Sequence, residues 1–200
     1  MKKIPILLMM VAAAIFGLSC DKGKAGKPTN SKPEVKTGVA PIADPEIAVI
    51  EMENPAYGTM KLELYSNIAP KMVERFKELA REGFYNGTTF HRVSGIVIQG
   101  GDPKGDGTGS SPKPNVPAEF SDVPFERGIV GAARTNDPNT ANCQFYITMQ
   151  RFPSWDKNYT VFGKVVSGMN NADVIVGVPK NGESPLDPVR IKSITIRAKQ

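Results

Sequence analysis

The stretch that most constrains this chain runs from Phe90 to Asp102 and reads Phe-His-Arg-Val-Ser-Gly-Ile-Val-Ile-Gln-Gly-Gly-Asp. Its second half has the character of a strand. Ile96, Val97 and Ile98 are β-formers, bounded by Gly95 on one side and the Gly100-Gly101 pair on the other. Arg92 and Gln99 flank the apolar run. Fixed hydrogen-bond donors beside an apolar patch are what a binding pocket requires. A buried strand with a polar residue at each end accounts for the same spacing, and the residues alone leave both readings open.

Strand signals dominate the chain around this stretch. Ala48, Ile50 and Met52 alternate with Ile47, Val49 and Glu51, and Met60, Leu62 and Leu64 alternate with Lys61, Glu63 and Tyr65. The turn residues from Asn54 to Gly58 between them predict a hairpin. From Pro70 to Gly83 the period changes. Met72, Val73, Phe76, Leu79 and Ala80 fall on one helical face, which is expected to cap an apolar opening in the sheet. Small residues at Gly131, Ala132 and Ala133 allow something to approach the backbone closely. Tyr159 to Val165 reads as a strand, and Ala172 to Val176 as a short second helix. Ile191, Ile194 and Ile196 form a closing strand whose face shifts near Ser193, the mark of a bulge. Alternating strands, two helices and no internal repeat suit an antiparallel β-barrel.

Charge and composition exclude several functions. The net charge is +5, but residues 46–200 hold 18 Lys/Arg against 17 Asp/Glu, a balance of +1. A near-neutral domain without a basic stripe is a poor nucleic-acid binder. Gly105-Asp106-Gly107-Thr108-Gly109 is no phosphate loop, since the three prolines between Ser110 and Pro117 forbid the helix such a loop opens. Asp102 and Asp106 lack the spacing and terminal Glu of a calcium loop. His91 is the only histidine, which rules out a multi-histidine metal site, and no cofactor is expected. Cys143 reads as a small buried residue with no general base beside it, and no disulfide with Cys20 is expected.

The N-terminus is a targeting segment. Lys2 and Lys3 precede an apolar run from Ile4 to Phe16, too short for a comfortable membrane span. Gly17-Leu18-Ser19 before Cys20 resembles a bacterial lipobox, with Leu18 one place later than usual. That likeness implies a signal peptide over residues 1–19, lipidation of Cys20 and a protein anchored in the cell envelope. Cleavage after Ala12-Ala13-Ala14 is the rival and releases a soluble protein. Asp21 to Pro45 is rich in Lys, Gly, Pro, Ser and Thr and reads as a flexible tether. The folded domain is expected over residues 46–200.

The organising stretch resembles the Phe-His-Arg…Gln-Gly-Gly-Asp motif of the cyclophilin-type peptidyl-prolyl isomerases, and the likeness extends from Glu46 to Ile196. Gly105 to Gly109 resembles the Gly-Thr-Gly run of bacterial members, with Glu119 expected to pin that loop. Residues 128–147 resemble the family's Gly…Met-Ala-Arg…Ser-Gln-Phe-Phe-Ile block, with Ala132, Cys143 and Tyr146 replacing a frequent Met, Ser and Phe. The resemblance implies a closed eight-stranded antiparallel barrel capped by two helices. It implies prolyl isomerase activity on extended, proline-containing polypeptides, in a monomer. It assigns catalysis to Arg92 and Gln99, with Gln99 bonding the substrate backbone and orienting Arg92. Ile96, Val97, Tyr146 and Trp155 line the proline pocket, Ala133 and Arg134 offer backbone groups to an extended peptide, and Gln144 and Tyr159, the latter where many bacterial members carry Tyr, are further substrate-binding residues. His91 is structural. Three departures stand out: the interval from Arg92 to Gln99 is one residue short, Ile96 replaces an aromatic, and Ser154 takes the place of the tryptophan of cyclosporin-sensitive members. The last implies weak response to that inhibitor. The alternative function is a proline-peptide-binding chaperone or scaffold with little turnover.

Overall fold

The computed structural model describes residues 33–199; the expected leader, Cys20 and the first part of the expected tether lie outside them. Among these residues eight strands join in one sheet: β1 (Glu46–Met52), β2 (Thr59–Leu64), β3 (Thr89–Val93), β4 (Val97–Asp102), β5 (Ile129–Ala132), β6 (Phe145–Thr148), β7 (Val161–Ser167) and β8 (Ile191–Ala198). Their order is β8-β1-β2-β7-β5-β6-β4-β3, and every neighbouring pair is antiparallel. The alternation in β1 and β2 is realised: Ala48, Ile50, Met60, Leu62 and Leu64 are fully buried and Met52 nearly so. The bulge expected near Ser193 lies between Ile191 and Ser193.

The sheet curls around the core but does not close, which corrects the expected closed barrel. The edge strands β3 and β8 approach only at the bridge between Thr89 and Arg190. Beyond it β8 continues along β1, while the free edge of β3 is covered by a small hairpin pairing Lys180–Asn181 with Ser184–Pro185. The Val93 N–H donates to the Glu183 carbonyl there (2.7 Å). A covered edge needs no further strand to satisfy its backbone.

Helix α1 (Pro70–Arg81) buries the five residues that its sequence period selects. They enter a core with Phe90, Phe145 and Phe162. Its first residue has no side-chain cap of its own. Glu119 supplies one instead, accepting from the N–H groups of Lys71 (3.1 Å) and Met72 (2.9 Å), where an anion suits the helix dipole. Glu119 therefore secures α1, whereas the glycine loop is pinned by Asp102. That fully buried carboxylate accepts from the N–H groups of Lys104, Asp106 and Gly107. Helix α2 (Met169–Val176) begins three residues before its sequence signal and buries Ala172 and Ile175.

The expected tether is shorter than its composition suggests. Residues 33–45 lie along the domain as a strap. Val35–Lys36 pairs in parallel with Phe120–Ser121, and the Gly38 N–H donates to Asp122. Asn67 holds Ala40 and Ile42. Asp44 accepts from Ser66 and meets Lys77 Nζ at 2.5 Å. Backbone groups satisfied one by one in this way order a segment that has little apolar surface to bury.

Candidate active site

The site is built on one transverse row. Arg92 on β3 pairs with Gln99 on β4, Gln99 with Tyr146 on β6, Tyr146 with Gly131 on β5, and Gly131 with Val161 on β7. Directly opposed residues in antiparallel strands share a face. Their neighbours Ile98, Phe145, Ile147, Val130 and Ala132 belong to the interior core, so the row faces outwards. It carries a guanidinium, an amide and an aromatic ring side by side.

An apolar cluster separate from the interior core surrounds Tyr146. Val97, Tyr146 and Val161 are buried in it, with Ile96, Ala133, Trp155 and Tyr159 packed against it. The four residues expected to line a proline pocket thus come together, with Tyr159 beside them. Trp155 meets the Tyr146 ring edge-on at 5.4 Å and tilts against Tyr159 at 5.4 Å. Phe125, fully buried, completes the base and stacks on Tyr146 at 6.4 Å. Its sequence context carries no local signal, because the loop it sits on is fixed from afar. The Phe125 N–H donates to Asp156, which Arg151 also grips. Although burial acts to raise it, those hydrogen bonds and the Arg151 charge hold the Asp156 carboxyl below its ordinary value. Gly131 serves this packing, since a Cβ there would collide with the Tyr146 ring.

The shortened interval between Arg92 and Gln99 is a tight turn. The Ser94 N–H donates to the Val97 carbonyl (2.9 Å), and the Ser94 hydroxyl accepts from the N–H groups of Ile96 and Val97 (3.2 Å each). This serine-capped turn closes the hairpin with Gly95 and Ile96 at its tip. Ile96 is therefore a turn residue leaning on the pocket, and β4 begins at Val97.

The polar groups are held differently from expectation. Gln99 donates to Gln144 Oε1 (3.0 Å), and Gln144 in turn donates to the carbonyls of Gly107 and Gly109. Gln99 does not orient Arg92. That contact belongs to Glu183, which accepts from Arg92 Nε at 2.6 Å and Nη2 at 3.3 Å. The Arg92 hydrogen bond is the main reason why the Glu183 carboxyl titrates below its ordinary value. Glu183 lies 91 residues away on the edge hairpin and shows no signal in the sequence. The Ala133 N–H donates to the Gln144 carbonyl (3.0 Å), which leaves the carbonyls of this stretch as its groups for a peptide. Arg134 lies over the Tyr159 ring at 4.3 Å and donates to Thr135 and Asn158 carbonyls. Beside Gln99, a groove of about 190 Å³ runs between the glycine loop and Ala133–Arg134. His91 is half-buried, and burial depresses its imidazole below the ordinary value against the pull of Asp102. Cys143 is fully buried, with its thiol pushed up to about 11, which makes it inert as a nucleophile at neutral pH.

Residues 48–196 match the family model described as cyclophilin type peptidyl-prolyl cis-trans isomerase/CLD. The chain belongs to the cyclophilin-type peptidyl-prolyl cis-trans isomerases. A probable peptidyl-prolyl cis-trans isomerase of Brucella suis is 45% identical over 173 residues, which is 80% of this chain and 87% of that one. The peptidyl-prolyl cis-trans isomerase-like 3 protein of Gallus gallus is 40% identical over 148 residues, covering 70% and 91%. Among solved structures, a Cryptosporidium parvum cyclophilin determined in the presence of the dipeptide Ala-Pro aligns with a TM-score of 0.71 at 31% identity, covering 76% of this chain and 99% of that one. The outward row and its aromatic cluster are thus the surface of a cyclophilin domain, and the protein is a prolyl isomerase.

Proposed function

We propose that this cyclophilin isomerises X-Pro bonds on the outward row, with the proline ring held by Val97, Tyr146, Trp155 and Tyr159, and Ile96 leaning on its edge. The reading is carried by the alignment of Arg92, Gln99 and Tyr146 on adjacent strands. Strands lie about 4.8 Å apart, so Arg92 and Tyr146 are separated by about 10 Å at their backbones, a span that a prolyl residue and an arginine side chain fill between them.

The barrier is loss of amide resonance, about 18–20 kcal/mol. As the C–N bond twists, the prolyl nitrogen becomes pyramidal and gains a lone pair. A guanidinium aimed there binds the twisted state better than the planar one, and only such differential binding speeds the reaction. Arg92 fills this role with a permanent charge and a rigid fork. Its Nε and one Nη2 proton are engaged by Glu183, which leaves the Nη1 side of the fork for substrate. Gln99 and Gln144, tied to the glycine loop, present amides to the substrate backbone, as does the Ala133–Arg134 main chain through its carbonyls. The substrates are extended, proline-containing chains exported to the cell envelope, where acylation of Cys20 holds the enzyme.

Turnover of a short X-Pro peptide by wild type and Arg92→Ala tests the assignment. Losing a hydrogen bond made only in the transition state lowers kcat/KM by about 2–4 kcal/mol, or roughly thirty- to a thousandfold. Arg92→Lys recovers part of it. Binding of a ground-state peptide and the melting temperature stay near wild type. A variant that melts early but turns over normally in its folded fraction would show that Arg92 is structural. A wild-type chain that binds the peptide without turnover would favour the chaperone reading.

A further inference from the structure

Strands β8, β1 and β2, with the end of β7 beyond Val161, have their own outward face. The register places Arg197 of β8 beside Ile47 of β1, Ile47 beside Glu63 of β2, and Glu63 beside Lys164 of β7. The next row runs Thr195, Val49, Lys61 and Ser167. The β7 irregularity at this point turns Val166 outwards, leaving it 49% exposed. Val166 and the half-buried Ile47 thus form a small aliphatic centre over the largely buried Val49, and a shallow depression of about 410 Å³ lies between them and the flanking Lys61 and Arg197.

Cations outnumber anions around that centre. Lys192 is paired with Glu51 (2.7 Å) and Lys199 with Glu63 (2.5 Å). Lys61, Lys164 and Arg197 have no carboxylate at ion-pair distance among the described residues. Residues 46–200 are balanced overall, so this excess is a local pattern and not a consequence of composition.

We infer that this face rests on an anionic lipid bilayer. The cations lie on three of the four strands, β8, β2 and β7, across about three strand spacings or 15 Å, in a two-dimensional array that suits a layer of phosphate headgroups. An aliphatic centre within a basic rim is the composition of surfaces that lie in a membrane interface. Single-stranded nucleic acid is a poor fit, because the outward positions of these strands carry no aromatic ring on which a base could stack. An acidic peptide adding as a strand needs a sheet edge, whereas this is a face. Docked this way, the pocket half of the sheet is left away from the lipid. The inference stands apart from the acyl anchor proposed at Cys20.

The test compares full-length protein binding to vesicles of phosphatidylcholine alone and of phosphatidylcholine with phosphatidylglycerol. Lysines at 22, 24, 27 and 32 also favour anionic lipid, so variants of the face separate the two sources. In Lys61→Gln/Lys164→Gln/Arg197→Gln the preference for anionic over neutral vesicles is expected to fall roughly tenfold to a hundredfold. Its prolyl turnover and melting temperature should match the wild type. Arg197→Glu, near the exposed end of β8, should lower the same preference if the triple variant folds poorly. An unchanged preference in both variants assigns binding to the upstream lysines and overturns the inference. Tighter, face-dependent binding to heparin or duplex DNA overturns it in favour of a general polyanion surface. Removing the Cys20 anchor weakens binding to both vesicle types alike, so the two readings fail separately.

Discussion

At the scale of single residues, Glu183 decides how Arg92 presents its charge. The ion pair is about half exposed on both sides, at 43% and 45%. Pairs of this kind contribute about 0–1 kcal/mol, so Glu183→Gln should lower kcat/KM by no more than about fivefold. The sign of its pH dependence follows from the depressed carboxyl. The pair is intact above the ordinary value of 4.5 and is lost as pH falls through the lower value in the folded protein. An acid limb in the kcat/KM profile that disappears in Glu183→Gln is the expected result; an identical limb in the variant would point to another group. Tyr146 poses the opposite case. Its hydroxyl is buried without a partner, and burial holds the phenol well above its ordinary value. An unsatisfied buried group costs about 1–3 kcal/mol, so Tyr146→Phe should leave the protein as stable or more so. A clear fall in melting temperature would mean that the hydroxyl has a partner in solution. The motif residues Arg92, Gln99 and Tyr146 were legible because they lie in recognisable local strings. Glu183 and Phe125 were not, because each is brought in by a loop whose position depends on contacts made far along the chain.

At the scale of elements, periodicity located β1, β2 and α1 well, since each buries a single face and the burial requirement writes itself into the spacing. Helix α2 starts three residues before its sequence signal, because Gly168 at φ 87° begins it with no side-chain cap. The strap leaves no such mark in the sequence. It is held by polar contacts, and a Lys/Pro/Ser-rich segment carries no hydrophobic period to betray its order. Asp44 is its strongest fastening, 9% exposed and bonded to both Ser66 and Lys77. Asp44→Ala should cost about 1–3 kcal/mol, because Lys77 keeps Glu46 at 3.1 Å as a second partner. For a domain of this size that is a fall of about 2–4 °C in Tm per kcal/mol. Burial acts to raise the Asp44 carboxyl, but hydrogen bonds from Lys77 and Ser66 outweigh it and leave it depressed. Its stabilising effect is therefore present above the ordinary value of 3.8 and is lost as pH falls through the lower folded value. Wild type and variant should converge in stability in strong acid, and melting curves over that range check it. Equal melting temperatures at neutral pH would show the strap to be a passive attachment.

At the scale of the whole molecule, the fold class was legible because a chain of alternating strands with two helical segments has few packed solutions. Closure was not, since it depends on whether β3 and β8, about a hundred residues apart in the chain, find a common register; the edge hairpin intervenes instead. The charge distribution has the same two-part logic. The domain is near neutral, while the lysines upstream of it lie beside an apolar run that ends shortly before Ser19-Cys20. If Cys20 is acylated, its chains hold the protein at about 0.8 kcal/mol per buried CH₂, far beyond what any basic surface supplies. Cys20→Ala should then accumulate as an unprocessed precursor or appear in the soluble fraction, with prolyl turnover intact because the strap and site are untouched. Radiolabelled palmitate should enter the wild type and not the variant. A Cys20→Ala chain that is processed and fractionates with membranes like the wild type would sink the anchor. Cleavage after Ala12-Ala13-Ala14 would then be the better account, with any remaining attachment to anionic lipid left to Lys61, Lys164 and Arg197.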